Sequence, residues 1–129
     1  CVANNRFLIS GAAIRFEGQI AVFGPDYSTS PCYRCLYRES PPPGMVPSCS
    51  EGGVLGALAG TVGSLQATEV LKEVMGIGHS LTGHLLLYDA LDTIFRKIRL
   101  PRDASCQLCG DQPSITDLSA YDIAAKEPA

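Results

Sequence analysis

Two short stretches, "PCYRC" at residues 31–35 and "SCQLCG" at residues 105–110, decide how this chain has to fold. Each holds a Cys-x-x-Cys pair, Cys32 with Cys35 and Cys106 with Cys109. Two residues between thiols on a tight turn aim both sulfurs at one point, which suits half of a tetrahedral S4 site. A zinc ribbon separates its pairs by about 15–20 residues. Here 70 residues, 36 to 105, lie between them. The pattern is therefore not a compact ribbon, and a metal held by all four thiols would clip together two loops distant in sequence. Two redox dithiols, two disulfides or iron in the same cage are the other readings of the spacing.

Upstream of the first pair, "RFLISGAAIRFEGQIAVFG" at residues 6–24 is rich in Ile, Val and Phe. Phe7 to Ile14 is a nearly continuous apolar run, as expected for a strand buried on both faces. Arg15 to Phe23 moves towards alternation, with Gly18 read as a bend or bulge. Two strands are expected, broken around Gly11 to Ala13, followed by a loop over "GPDYSTSP".

Downstream, "RESPPPGMVPS" at residues 38–48 holds four of the nine prolines. It can be neither helix nor central strand. It reads as a crossing loop, either plain surface or a lid over a substrate tail. From about Val54 to Met75 the apolar residues recur at threes and fours, which predicts a helix. Ser48 or Ser50 would cap it, with Glu51 in the first turn and Gly76 at its end. Gly56, Gly60, Gly63 and Ala67 form a smooth strip along one side. Glycine costs a helix roughly 1 kcal/mol each, so the strip is expected to lie against a sheet or a second subunit. "HLLLYDAL" and "IFRKIRL" then predict a hairpin turning near Asp92 and Thr93. Phe95, Ile98 and Leu100 are expected on one apolar face, and Arg96, Lys97, Arg99 and Arg102 on a solvent face. His79 and His84, without matching carboxylates, read as structural or solvent-facing.

At 129 residues there is room for one sizeable core. The net charge of −3 argues against nucleic acid as the main partner. No apolar run approaches the ~18 residues of a membrane span. No secretory leader is read, so the expected compartment is the cytoplasm. The chain opens on Cys1, and a processed, truncated or excerpted piece of a longer protein is expected.

Together "SGAAIRFEGQIAVF", "PCYRCLY…PPPG…SCSEGGVLGALAGTVGSLQATEVLK", "LLLYDAL…FRKIRL" and "CQLCGDQPSITDL" resemble the second half of the MoeB/ThiF/HesA family. These are E1-like enzymes that activate ubiquitin-like sulfur carriers, and the resemblance is strongest to the molybdopterin-synthase adenylyltransferase/sulfurtransferase branch. The fold it implies is α/β: the carrier-binding half of a Rossmann-like E1 adenylation domain, a mixed sheet with an antiparallel hairpin, one long helix and a four-cysteine zinc site. Residues 1–110 would be that half, and 111–129 an exit segment or linker, in some relatives towards a rhodanese domain. The family's ATP and magnesium site lies upstream. This chain carries no G-x-G-x-x-G turn, so it should not bind ATP in the family's way on its own.

The resemblance also gives a role to the thiol in "VPSCSEGGVLGALAG". Cys49 matches the position of the family's acceptor cysteine. A thiol just before a helix lies at the positive end of the dipole, which lowers its pKa. An inert buried cysteine is the bland alternative. Cys1 has no motif and reads as structural. The expected partners are a MoaD/ThiS-like sulfur-carrier protein and a second copy of the parent in a homodimer, with no nucleic acid and no membrane. A four-thiolate zinc has no open position and would be structural. The rival function is a stand-alone zinc-clipped protein-binding module without catalysis.

Overall fold

In a computed structural model, described over residues 1–42, 44–45 and 49–118, a 3-10 turn at Val2–Asn4 leads into β1 (Leu8–Ile14) and β2 (Glu17–Phe23). The short helix α1 (Tyr33–Leu36), the short helix α2 (Cys49–Gly52) and the long helix α3 (Gly56–Met75) follow, and then β3 (His84–Asp89) and β4 (Ile94–Arg99). The strands lie in the order β1-β2-β3-β4.

The sheet expected as mixed is antiparallel at every strand pair. Short turns link β1 to β2 and β3 to β4, which forces that sense. Parallel pairing among the described residues is limited to two isolated bridges, Arg15 with Val54 and Val22 with Thr82. The first break also moves. Gly11 to Ala13 lie inside β1, and the chain turns at Arg15 and Phe16, with Arg15 at φ +52°. Gly18 is no bulge; it pairs in register with Ala13 and Tyr88.

Close approach of α3 explains both strand glycines. A Cβ on Gly18 would come within 2.6 Å of Val62 Cγ2, and one on Gly11 would collide with the Gln66 side chain. Gln66 in turn donates to the Ile9 carbonyl at 3.3 Å. Leu58 and Val62 pack with Ile20, Val22 and Leu81 to form the core on this side of the sheet.

The helix starts later than its periodicity suggests. Its N-cap is Leu55, with no side-chain cap, and Leu55 N donates to Arg15 O at 2.9 Å. Ser50 and Glu51 sit in α2 instead, while Ser48 lies outside the described residues. Gly76 ends α3 in the left-handed region at φ +63°, as expected. Glu69, buried on α3, is ion-paired with Lys72 and accepts the Leu81 N–H at 3.0 Å, fixing the connection to β3.

The glycine strip does not face the sheet. Nothing comes within 4 Å of a Cβ built on Gly56, Gly60 or Gly63. The face that meets β1 and β2 carries Leu58, Val62, Leu65 and Gln66 instead. The expected hairpin is present, but its apolar residues do not share a face. Phe95 stacks on Tyr88 at 4.3 Å between ring centroids, while Ile98 pairs with Leu85. Three residues apart on a strand means opposite faces. No helix among the described residues is long and apolar enough to cross a membrane.

Candidate metal centre

The other face of the sheet presents Ala21 and Phe23 of β2 and Leu85 of β3. A loop leaves Phe23 through Gly24 and Pro25, and Tyr27 folds back so that its hydroxyl donates to the Arg6 carbonyl at 2.7 Å. Asp26 accepts from Ser28 N and Thr29 Oγ1, which sets the turn. The chain then reaches Cys32, and Cys35 N donates to Cys32 O at 3.0 Å as α1 begins. This is the first knuckle.

The second knuckle has its own local logic. The Asp103 carboxylate accepts the Ser105 N–H at 2.8 Å, and Asp103 O accepts the Cys106 N–H at 3.0 Å. Gly110 N returns to Cys106 O at 2.8 Å. A Cβ on Gly110 would lie 2.4 Å from Cys106 O and 2.6 Å from Ala104 O, so only glycine closes this turn. Asp103 also accepts from Arg38 at 2.8 Å, tying the two loops together at the surface.

The four predicted ligands meet. Cys32 Sγ is 3.9 Å from Cys35 and 3.6 Å from Cys106, Cys35 is 3.4 Å from Cys109, and all four sulfurs lie within 4.8 Å of one another. A tetrahedral tetrathiolate with metal–sulfur bonds of about 2.3 Å has edges of about 3.8 Å. The thiols are therefore spaced for a tetrahedral metal ion to within about 1 Å. None of the four is in a disulfide, and Cys32, Cys106 and Cys109 are buried in the same core as Phe23 and Tyr27.

Without a metal, four adjacent thiols must share their protons unevenly. Burial pushes Cys32 up to about 11. Burial, then the thiols of Cys32 and Cys35, pushes Cys109 far up. Burial acts on Cys106 too, but the N–H groups of Cys109 and Leu108 and the Cys32 thiol outweigh it and bring Cys106 down to about 7. Leu108 N points at Cys106 Sγ from 3.5 Å. A bound metal would displace the protons of all four thiols.

Beside the cage, a cleft of about 370 Å³ runs between Gln19, Tyr33, Tyr37 and Arg38 and reaches Ser40 and Pro41 at the start of the proline loop. Tyr33 and Tyr37 lie ring against ring at 5.0 Å, and Gln19 Nε2 donates to the Tyr37 hydroxyl at 2.7 Å.

The profile of the ThiF family matches residues 1–108. The chain belongs to the ThiF family. It is 51% identical over 118 residues to a sulfur carrier protein adenylyltransferase of Thermus thermophilus, covering 89% of this chain and 44% of that relative. It is 50% identical over 123 residues to the bovine adenylyltransferase and sulfurtransferase MOCS3, covering 95% of this chain and 27% of that one. This ThiF chain thus spans less than half the length of either relative. Among solved structures, Escherichia coli MccB in complex with MccA-N7isoASN superposes with a TM-score of 0.69 at 15% identity, over 86% of this chain and 35% of that one. That likeness carries the ThiF fold alone.

Other predicted residues fall elsewhere. Cys49 is the first residue of α2, and seven positions separate it from Gly56, where α3 begins. The long helix therefore does not start at this thiol. α2 leads to Gly53, whose carbonyl accepts from Arg15 N at the β1–β2 turn. That turn and Phe23, where the cage loop departs, are at opposite ends of β2, about 20 Å apart at the usual strand rise. Cys1, read as structural, is exposed. Arg102 does not join a solvent face of β4. It reaches into the space between the two knuckles, and nothing in its sequence surroundings except the proximity of Cys106 pointed to that.

Proposed function

We propose that this chain is the carrier-side half of an E1-like adenylyltransferase that activates the C-terminal carboxylate of a ubiquitin-like sulfur-carrier protein. The observation that carries the reading is the four-thiol cage, set on the sheet face away from α3 in a chain 51% identical to a sulfur carrier protein adenylyltransferase. The cage would hold zinc through Cys32, Cys35, Cys106 and Cys109. Four thiolates leave no open position, so the zinc ties the first loop to the C-terminal segment and takes no part in the chemistry. The separation of the cage from α2 along β2 agrees with that division.

The carrier's Gly-Gly tail would run through the cleft lined by Tyr33, Tyr37 and Arg38, under the proline loop. The upstream half would supply the ATP and magnesium site and form the acyl-adenylate. Cys49 is then the acceptor. Its thiolate attacks the acyl carbon, the new C–S bond forms, and the C–O bond to phosphate breaks as AMP leaves with the electron pair. The carrier would serve a molybdopterin, thiamine or tRNA thiolation pathway. The exposed strip of α3, with Leu71, Val74 and Met75 beside the glycines, supports a homodimer of the parent. Residues 1–110 are the domain half in this reading and 111–129 the exit segment.

The test separates the two steps in the full-length parent. Cys49→Ala should leave adenylation, measured by ATP–pyrophosphate exchange with the carrier, close to the parental rate and slow sulfur transfer at least tenfold. Parental sulfur transfer by the variant would remove Cys49 from the mechanism. Equal loss of both steps would mean a packing role.

A further inference from the structure

Arg102 reaches both cysteine loops with a largely buried side chain. Its side chain is only 18% exposed although it carries a permanent charge. Its Nη2 donates to the carbonyl oxygen of Cys109 at 2.6 Å. Its Nε donates to the carbonyl of the buried Tyr27 at 3.2 Å, in the loop that leads to Cys32. Its Nη1 is paired with Asp111 at 2.9 Å, just beyond the second knuckle. One planar fork thus serves three acceptors drawn from both loops that carry the ligands.

A divalent metal held by four thiolates has a net charge of −2. Burying that charge is costly unless a counter-charge is near. Arg34 also links the two loops, but from the surface, donating to the Arg38 carbonyl and to Gln107. We propose that Arg102 is a positioning residue for the metal centre: it braces the Tyr27 loop against the Cys109 knuckle and supplies the counter-charge that holds the metal–tetrathiolate in a buried site. The inference rests on the zinc reading above. Lysine would keep the charge but not the fork, because an ammonium is a compact point donor on a flexible stem.

The experiment uses the full-length parent, purified with zinc and compared as Arg102→Gln and Arg102→Lys. Zinc release to a chromophoric chelator is followed over time, and the sulfur-to-metal charge-transfer band is recorded after cobalt substitution. Residues that orient a metal's ligands typically change affinity by about 10–100-fold. Release from Arg102→Gln should accelerate by about that factor and its cobalt band should shift. Arg102→Lys should fall between Gln and the parent. Parental release and an unchanged band in Arg102→Gln would overturn the proposal. Equal release from Gln and Lys variants would overturn it as well, since the charge would then contribute nothing. If the Gln variant does not fold, parental release from the Lys variant has the same force. A parent that contains no metal by elemental analysis would instead overturn the zinc reading.

Discussion

On one face of the sheet, Leu58 and Val62 of α3 lie against Gly18, Ile20 and Val22; on the other, Ala21 and Phe23 lie against Cys32, Cys106 and Cys109. The helix face is closed by aliphatic side chains pressed onto glycine, a fit that needs only the chain itself. The cysteine face is closed by two irregular knuckles whose buried side chains are thiols. Burial of aliphatic surface stabilises the first side at every pH and redox state. The second side depends on what the thiols hold. If the cage holds zinc as proposed, the two faces of the same four strands draw their stability from different sources, shape on one and coordination on the other.

The largest test of that division is metal removal. Elemental analysis of the parent should find about one zinc per chain in this region. Structural zinc contributes apparent binding energies of about 10–16 kcal/mol in small peptides. Chelation, or Cys109→Ser, should therefore release the knuckles. Amides of 32–36 and 103–110 should lose their protection from hydrogen exchange, while those of β1 and β2 beneath α3 keep theirs. Uniform loss over both faces would show one cooperative unit. Two disulfides and no metal after reducing purification would end the zinc assignment.

The reverse perturbation is smaller. Leu58 is fully buried, and Leu58→Ala should cost about 2–5 kcal/mol in urea unfolding, with the zinc content unchanged. Loss of zinc in this variant would mean that the two faces are energetically one.

The smallest effect is a pH dependence confined to the cysteine face. The Ser105 hydroxyl, then the Ser105 N–H, hold the Asp103 carboxyl below its usual value. A folded pKa below the unfolded one stabilises the protein above about pH 4 and loses that contribution as pH falls further. Asp103→Asn should lower Tm at pH 7, and the gap to the parent should close as pH drops below about 4. Zinc loss in acid affects both proteins alike, so the gap isolates the carboxylate. A gap that stays constant from pH 7 to pH 3 would refute the assignment.

The residues that announced themselves in the sequence did so through strict local chemistry. Cys-x-x-Cys spacing picked out four thiols that the fold brings within 4.8 Å of one another, because each such turn aims both sulfurs at one point. The 3.6-residue period located α3, and the Asp92–Thr93 turn located the hairpin. What stayed illegible depends on which surface meets which. Gly18 and the α3 glycines look alike in a string of letters, yet Gly18 is pressed by Val62 while Gly56, Gly60 and Gly63 face open space. Only the register of strand against helix separates them. Ser50 resembles a cap, but the chain makes a separate short helix at Cys49–Gly52 before Leu55 docks on Arg15. Arg102 looked like one more basic residue of a strand, and its place between the Tyr27 loop and the Cys109 knuckle shows only in the folded chain.

The long interval between the two cysteine pairs has a consequence in time as well as in space. A ribosome delivers Cys32 and Cys35 first, and Cys106 and Cys109 follow after 70 further residues. At synthesis rates of about 5–20 residues per second, the first pair waits roughly 4–14 s for its partners. During that wait two thiols can hold a metal only loosely, or meet an oxidant or a foreign thiol. The four thiols therefore come together only late in the synthesis of this stretch of chain. Completion of the cage marks that the hairpin between the pairs has been made and has returned to the right place.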